Sequence, residues 1–61
     1  MTKKDERFAF LDRISAEEKM RRGEMRHIDA VNILIKKFGD SHGSANTMVY
    51  VYRNERDLIR R

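Results

Sequence analysis

The chain has 61 residues, 14 of them Lys or Arg and 10 Asp or Glu, for a formal net charge of +4, and it contains no Cys, Pro or Trp. That length allows one small domain, the missing Cys excludes disulfides and thiolate metal sites, and no apolar run is long enough to span a membrane. A core this small is marginal alone, so a second subunit is the expected support, and the charged start Met1, Thr2, Lys3, Lys4, Asp5, Glu6 points to a soluble cytoplasmic chain.

The first third reads as helix. Phe10, Leu11 and Ile14 fall at i, i+1 and i+4, with Phe8 close by. Ser15-Ala16-Glu17-Glu18 has the S-x-x-E form of a capping box, which predicts a helix end near Ile14 and a new helix from Ala16. One continuous helix bent at that point fits equally well. Glu17 and Arg21, and Glu18 and Arg22, are i, i+4 pairs in the favourable orientation. Gly23 is the natural break. Residues 1–24 are therefore expected as a charged helical segment, and 25–61 as the domain proper.

The next helix is expected over about 25–38. Ile28, Val31, Ile35 and Phe38 recur at i, i+3, i+7 and i+10, with Leu34 beside them. Lys36 and Lys37 suit the last turn, where cations meet the negative end of the helix dipole. Gly39 follows, ready for a left-handed residue. Ser41 looks like an N-cap. Ala45, Met48, Val49 and Tyr52 then form a second stripe, and Glu55, Leu58 and Ile59 continue the helix toward Arg60 and Arg61. Met48-Val49-Tyr50-Val51-Tyr52 is also rich in β-formers, so residues 46–52 read alternatively as a strand paired across a dimer. The turn that precedes them favours helix.

Charge is unevenly placed. Residues 1–30 hold 8 basic and 7 acidic side chains, and residues 31–61 hold 6 and 3. No Asp, Glu, Lys or Arg occurs in residues 41–52, a window flanked by Lys36 and Lys37 on one side and Arg53 and Arg56 on the other. Catalysis is not expected. There are no paired carboxylates and no Gly-rich phosphate loop, and His27 and Asp29 fall on different helix faces. No cofactor is expected, and His27 with His42 makes a poor metal site.

The run from Leu34 through Gly39, Asp40, Ser41, Ser44 and Ala45 to Met48 resembles the helix-turn-helix of small bacterial and phage DNA-binding regulators. Gly39, Ser41, Ser44, Ala45 and Met48 carry the likeness. Ile35 departs from it where the pattern has a small residue, and Asp40 where it has an apolar turn residue. The first substitution is expected to widen the helix crossing and the second to leave the turn loosely packed. The resemblance implies an all-α domain of three to four helices, dimeric, with a helix-turn-helix at about 28–52 that binds double-stranded DNA and regulates transcription. It places Ser41, His42, Gly43, Asn46, Thr47 and Tyr50 toward base edges, with Asn46 suited to adenine. Lys36, Lys37, Arg53 and Arg56 would then lie on phosphates. Phe8, Phe10, Leu11, Ile14 and the pair Leu58-Ile59 are candidate dimer surfaces.

Blander readings stand beside these. Asn46 and Thr47 suit a merely solvated face, Lys36 and Lys37 a dipole match, and Tyr50 and Tyr52 a stack on single-stranded bases. The uncharged window also fits a protein-binding adaptor or inhibitor docking on a larger enzyme, because most DNA-reading helices carry an Arg, Lys or Gln there.

Overall fold

The computed structural model describes residues 2–59, which form four helices: α1 (Lys3–Arg13), α2 (Ala16–Arg21), α3 (His27–Phe38) and α4 (His42–Glu55). No strand occurs among the described residues, and residues 46–52 are helical throughout. The β-rich run is held as helix because Val49 and Tyr52 bury one face against the rest of the chain. No helix among the described residues is long and apolar enough to cross a membrane.

α1 starts on a signal that apolar spacing does not reveal. The Asp5 amide donates to Thr2 Oγ1 at 3.2 Å and the Thr2 amide donates to Asp5 Oδ2 at 3.4 Å, a reciprocal capping box. The box expected at Ser15 does not form. Ser15 is left-handed, with φ +59°, and makes no side-chain cap bond. Its amide donates to the Asp12 carbonyl, so it closes α1 and does not cap α2. Capping by a Ser hydroxyl needs an extended backbone, and the left-handed one removes it from reach. Ile14 and Ser15 therefore separate α1 from α2, and a single bent helix is excluded.

α2 ends in a Schellman motif. Gly23 takes φ +76°, and the Glu24 amide donates to the Lys19 carbonyl at 2.7 Å. α3 begins at His27, two residues later than expected, because Met25 is drawn into the core while the Arg26 amide donates to Asp29 Oδ2 at 2.9 Å. α4 stops at Glu55 and does not run on through Leu58 and Ile59. Asp57 turns left-handed at φ +55° and the Leu58 amide donates back to the Arg53 carbonyl at 2.8 Å. The expected continuation into Arg60 and Arg61 lies outside the described residues.

The core joins all four helices. Leu11, Ala16, Met25, Ala30, Val31, Leu34, Ala45, Val49 and Tyr52 form one buried cluster. Its members come from both sides of the 24/25 boundary. Within α3 the buried line is Ala30, Val31 and Leu34, whereas Ile28 is 42% exposed and Ile35 only half-buried. The fully buried small residues are Ala16 on α2, Ala30 on α3 and Ala45 on α4, and Ile35 lies outside this layer. Leu11, expected at a dimer surface, is wholly buried within the chain, and Phe8, Phe10 and Ile14 pack against the same cluster.

Two polar clasps tie α1 to the rest. Arg7, 7% exposed, donates from Nε and Nη2 to the two oxygens of Asp40 at 3.1 and 2.7 Å, and its guanidinium lies 4.1 Å from the Phe38 ring centre. Asp40 therefore anchors the α3–α4 turn, which corrects the expectation of a loosely packed one. At the other end Arg56 grips both oxygens of Asp12 at 2.8 and 3.0 Å and Glu17 at 2.9 Å. The buried Tyr52 hydroxyl donates to Asp12 Oδ1 at 2.9 Å, and its ring meets Phe8 edge to face at 5.1 Å.

Candidate nucleic-acid interface

The outer face of α4 is set by the three residues before it. Gly39 takes φ +71° and its amide donates to the Ile35 carbonyl at 2.8 Å, ending α3. A side chain at that φ would be strained, which is why Gly serves here. Ser41 is extended, and its Oγ accepts the Ser44 amide at 3.3 Å, starting α4. Ala45, Val49 and Tyr52 turn inward, so His42, Gly43, Asn46, Thr47 and Tyr50 are left exposed, with Tyr50 57% open. Residues 43, 46, 47 and 50 follow the i, i+3, i+4, i+7 spacing of one helical face. A Cβ added at Gly43 would meet nothing, so the backbone there is open to close approach.

The side chains on this face differ in how far they are already engaged. Thr47 Oγ1 donates to the Gly43 carbonyl at 3.1 Å, which occupies its hydroxyl hydrogen. Asn46 Oδ1 lies 2.6 Å from His27 Nε2, and His27 Nδ1 lies 3.1 Å from an Arg53 guanidinium nitrogen. Arginine can only donate, so Nδ1 must accept and the ring proton sits on Nε2, donating to Asn46. The relay runs Arg53 to His27 to Asn46 and fixes which way the amide faces. Asn46 presents its NH2 as donor and keeps one free lone pair on Oδ1.

Of the four cations expected on phosphates, Lys36 and Lys37 are exposed at the end of α3 and make no ion pair among the described residues. Arg53 is half-buried against His27. Arg56 is committed to Asp12 and Glu17, hydrogen bonds that raise its pKa further above its ordinary value. The same contact, with Arg56 as the main cause, holds the Asp12 carboxyl below its usual range.

Electrostatics around the face are permissive to an anion. No acidic residue lies between His42 and Asn54. Glu55 is paired with Lys4 at 2.7 Å. Asp40, two residues before α4, would oppose an approaching phosphate, but Arg7 neutralises it and its hydrogen bonds hold that carboxyl below the usual range.

His27 and Arg7 escaped local pattern reading. Neither spacing nor composition links His27 to Asn46, 19 positions away, or Arg7 to Asp40, 33 positions away. No protein-family model, curated protein or solved structure matches this chain.

Proposed function

We propose that this chain is a small sequence-specific double-stranded DNA-binding protein, a cytoplasmic transcriptional regulator of bacterial or phage type, with α3, the turn and α4 acting as a helix-turn-helix. The reading is carried by one observation: a polar, acid-free face of α4, including Asn46 and Tyr50, stands exposed behind a Gly39–Ser41 turn. The N-terminus of such a helix enters the major groove while the preceding helix crosses the backbone. Lys36 and Lys37 are the cations available to phosphates. A homodimer would place two such faces on half-sites about 34 Å apart.

The relay through His27 refines the readout. An amide whose oxygen is already shared is best used as a donor, toward purine N7 or guanine O6, with adenine N6 reachable only by the second lone pair. Selection from a pool of randomised duplexes, followed by anisotropy titrations at two salt concentrations, tests the reading. Wild type should enrich a defined motif and weaken as salt rises, because each phosphate contact releases counterions. Asn46→Ala should lose about 1–3 kcal/mol for that motif. No enrichment together with salt-independent binding would discard the proposal.

The runner-up, a protein-binding adaptor or inhibitor that uses the same face, is favoured by the internal commitment of Arg53 and Arg56. It predicts a stoichiometric protein complex on α4 that survives high salt.

A further inference from the structure

A second surface is built from α1 and α3. Phe10 stands edge to face against Phe38, centroids 5.6 Å apart and planes at 88°. Two shallow depressions share the Phe10 side chain. One is lined by Glu6, Ala9, Phe10, Arg13 and Phe38, the other by Phe10, Ile33, Lys36 and Lys37. Phe10, Ile33 and Phe38 are half-buried, so an apolar floor remains uncovered. Its rim is cationic on both flanks: Arg13, Lys36 and Lys37 are exposed and make no ion pair among the described residues. Lys37 Nζ lies 5.5 Å from the Phe10 ring centre, so one of those charges already leans over the floor.

The chain's own carboxylates do not answer these cations. Asp12 and Glu17 are held by Arg56, Asp40 by Arg7 and Glu55 by Lys4. Glu6, the one acid on the rim, lies 3.3 Å from Arg7. A second copy presenting this face would set Arg13, Lys36 and Lys37 against their own kind. Nucleic acid alone would meet the cations and leave the floor wet.

We infer that the α1–α3 groove docks an acidic peptide segment, with an apolar anchor seated beside Phe10 on Ile33 and Phe38 and carboxylates flanking it on Arg13 and on Lys36 and Lys37. This surface stands independently of the DNA reading, yet it shares Lys36 and Lys37 with it, so acidic peptide and DNA would exclude one another.

The test is a titration of the 15N-labelled full chain, without DNA, with a short Glu-rich peptide carrying Leu and Phe on one helical face. Two controls run beside it: a Lys-rich peptide with the same apolar pattern, and a Glu-rich peptide with Ala in place of Leu and Phe. Amide shifts are expected at Ala9, Phe10, Arg13, Ile33, Lys36 and Lys37, with the outer face of α4 silent and both controls weaker. The pair Lys36→Glu and Lys37→Glu, both exposed and outside the core, should keep the helical spectrum and weaken binding about tenfold. Equal binding of the Lys-rich peptide, shifts located elsewhere, or no saturable shifts would overturn the proposal. Concentration-dependent shifts of the free protein at this groove would also overturn it, by making a second copy the occupant.

Discussion

Arg7 does two things that are easily missed in a residue so charged and so buried. It neutralises an Asp placed just ahead of a helix N-terminus, and its planar face covers Phe38. A Lys at this position would lose the bidentate fork and most of the stacking. Asp12 plays the matching part at the other end, where it accepts from Arg56 and Tyr52 together. Arg7 holds Asp40 below its unfolded value of 3.8, and Arg56 does the same for Asp12. Their contribution is therefore complete above the unfolded carboxylate range, and it is lost as pH falls below that range and through the lower folded values. Denaturant midpoints should decline below about pH 4, and Asp40→Asn should flatten that decline. Tyr52 governs the alkaline limb. Burial, reinforced by the Asp12 hydrogen bond, pushes its hydroxyl up to about 12. A folded value above the unfolded one gives stability that is whole below about pH 10 and disappears as pH rises toward 12. Tyr52→Phe should remove that alkaline loss, and the ultraviolet difference between the two proteins should show one phenol ionising late. His27 and Asn46 are coupled by direct contact, with Nε2 2.6 Å from Oδ1. If α4 reads DNA, His27→Ala and Asn46→Ala should combine less than additively in binding, by about 0.5–3 kcal/mol.

Helix ends decide most of what was and was not legible. Gly39 and Ser41 mark the α3–α4 turn by local chemistry alone, and the structure places that turn where the sequence reading did. Ser15 shows the limit of such signals, because a Ser followed by x-x-Glu opens a helix only if its backbone is extended. Here it closes one instead. The Thr2 box is invisible to apolar spacing, which in α1 begins only at Phe8. Ile28 and Ile35 lie on the apolar stripe that spacing marks on α3, yet the fully buried line is Ala30, Val31 and Leu34, so the inward face is turned from that stripe. Arg56 looked available from its position in the chain and is occupied by residues 44 and 39 positions earlier. No window-based reading reaches that far. Among the described residues Ser15 and Asp57 are the two non-glycines with positive φ, each at a helix C-terminus. Ser15→Gly is expected to stabilise the chain by about 0.5–1 kcal/mol, and Asp57→Gly by less because Asp tolerates this region better. Gly39→Ala should cost about 1 kcal/mol. Thermal melts of the three variants check the signs.

At the scale of the molecule the single buried cluster predicts one cooperative transition. Leu34→Ala, at a fully buried position, should cost about 2–5 kcal/mol, a large part of what a domain this small possesses. Amides of α1 should lose exchange protection together with those of α3 and α4. The two clasps have a further, temporal consequence. α3 and α4 meet across a three-residue turn, whereas the Asp12–Arg56 bond joins residues 44 apart. Local contacts form early because they close short loops, and a distant ion pair forms only after the chain between has condensed. Arg56→Gln should then leave the refolding rate nearly unchanged and raise the unfolding rate, the signature of an interaction absent from the transition state. Stopped-flow chevrons would read this directly, as an altered unfolding limb beside an unmoved folding limb. The clasp would in that case set how long each native molecule persists between openings while leaving unaltered how quickly it is made.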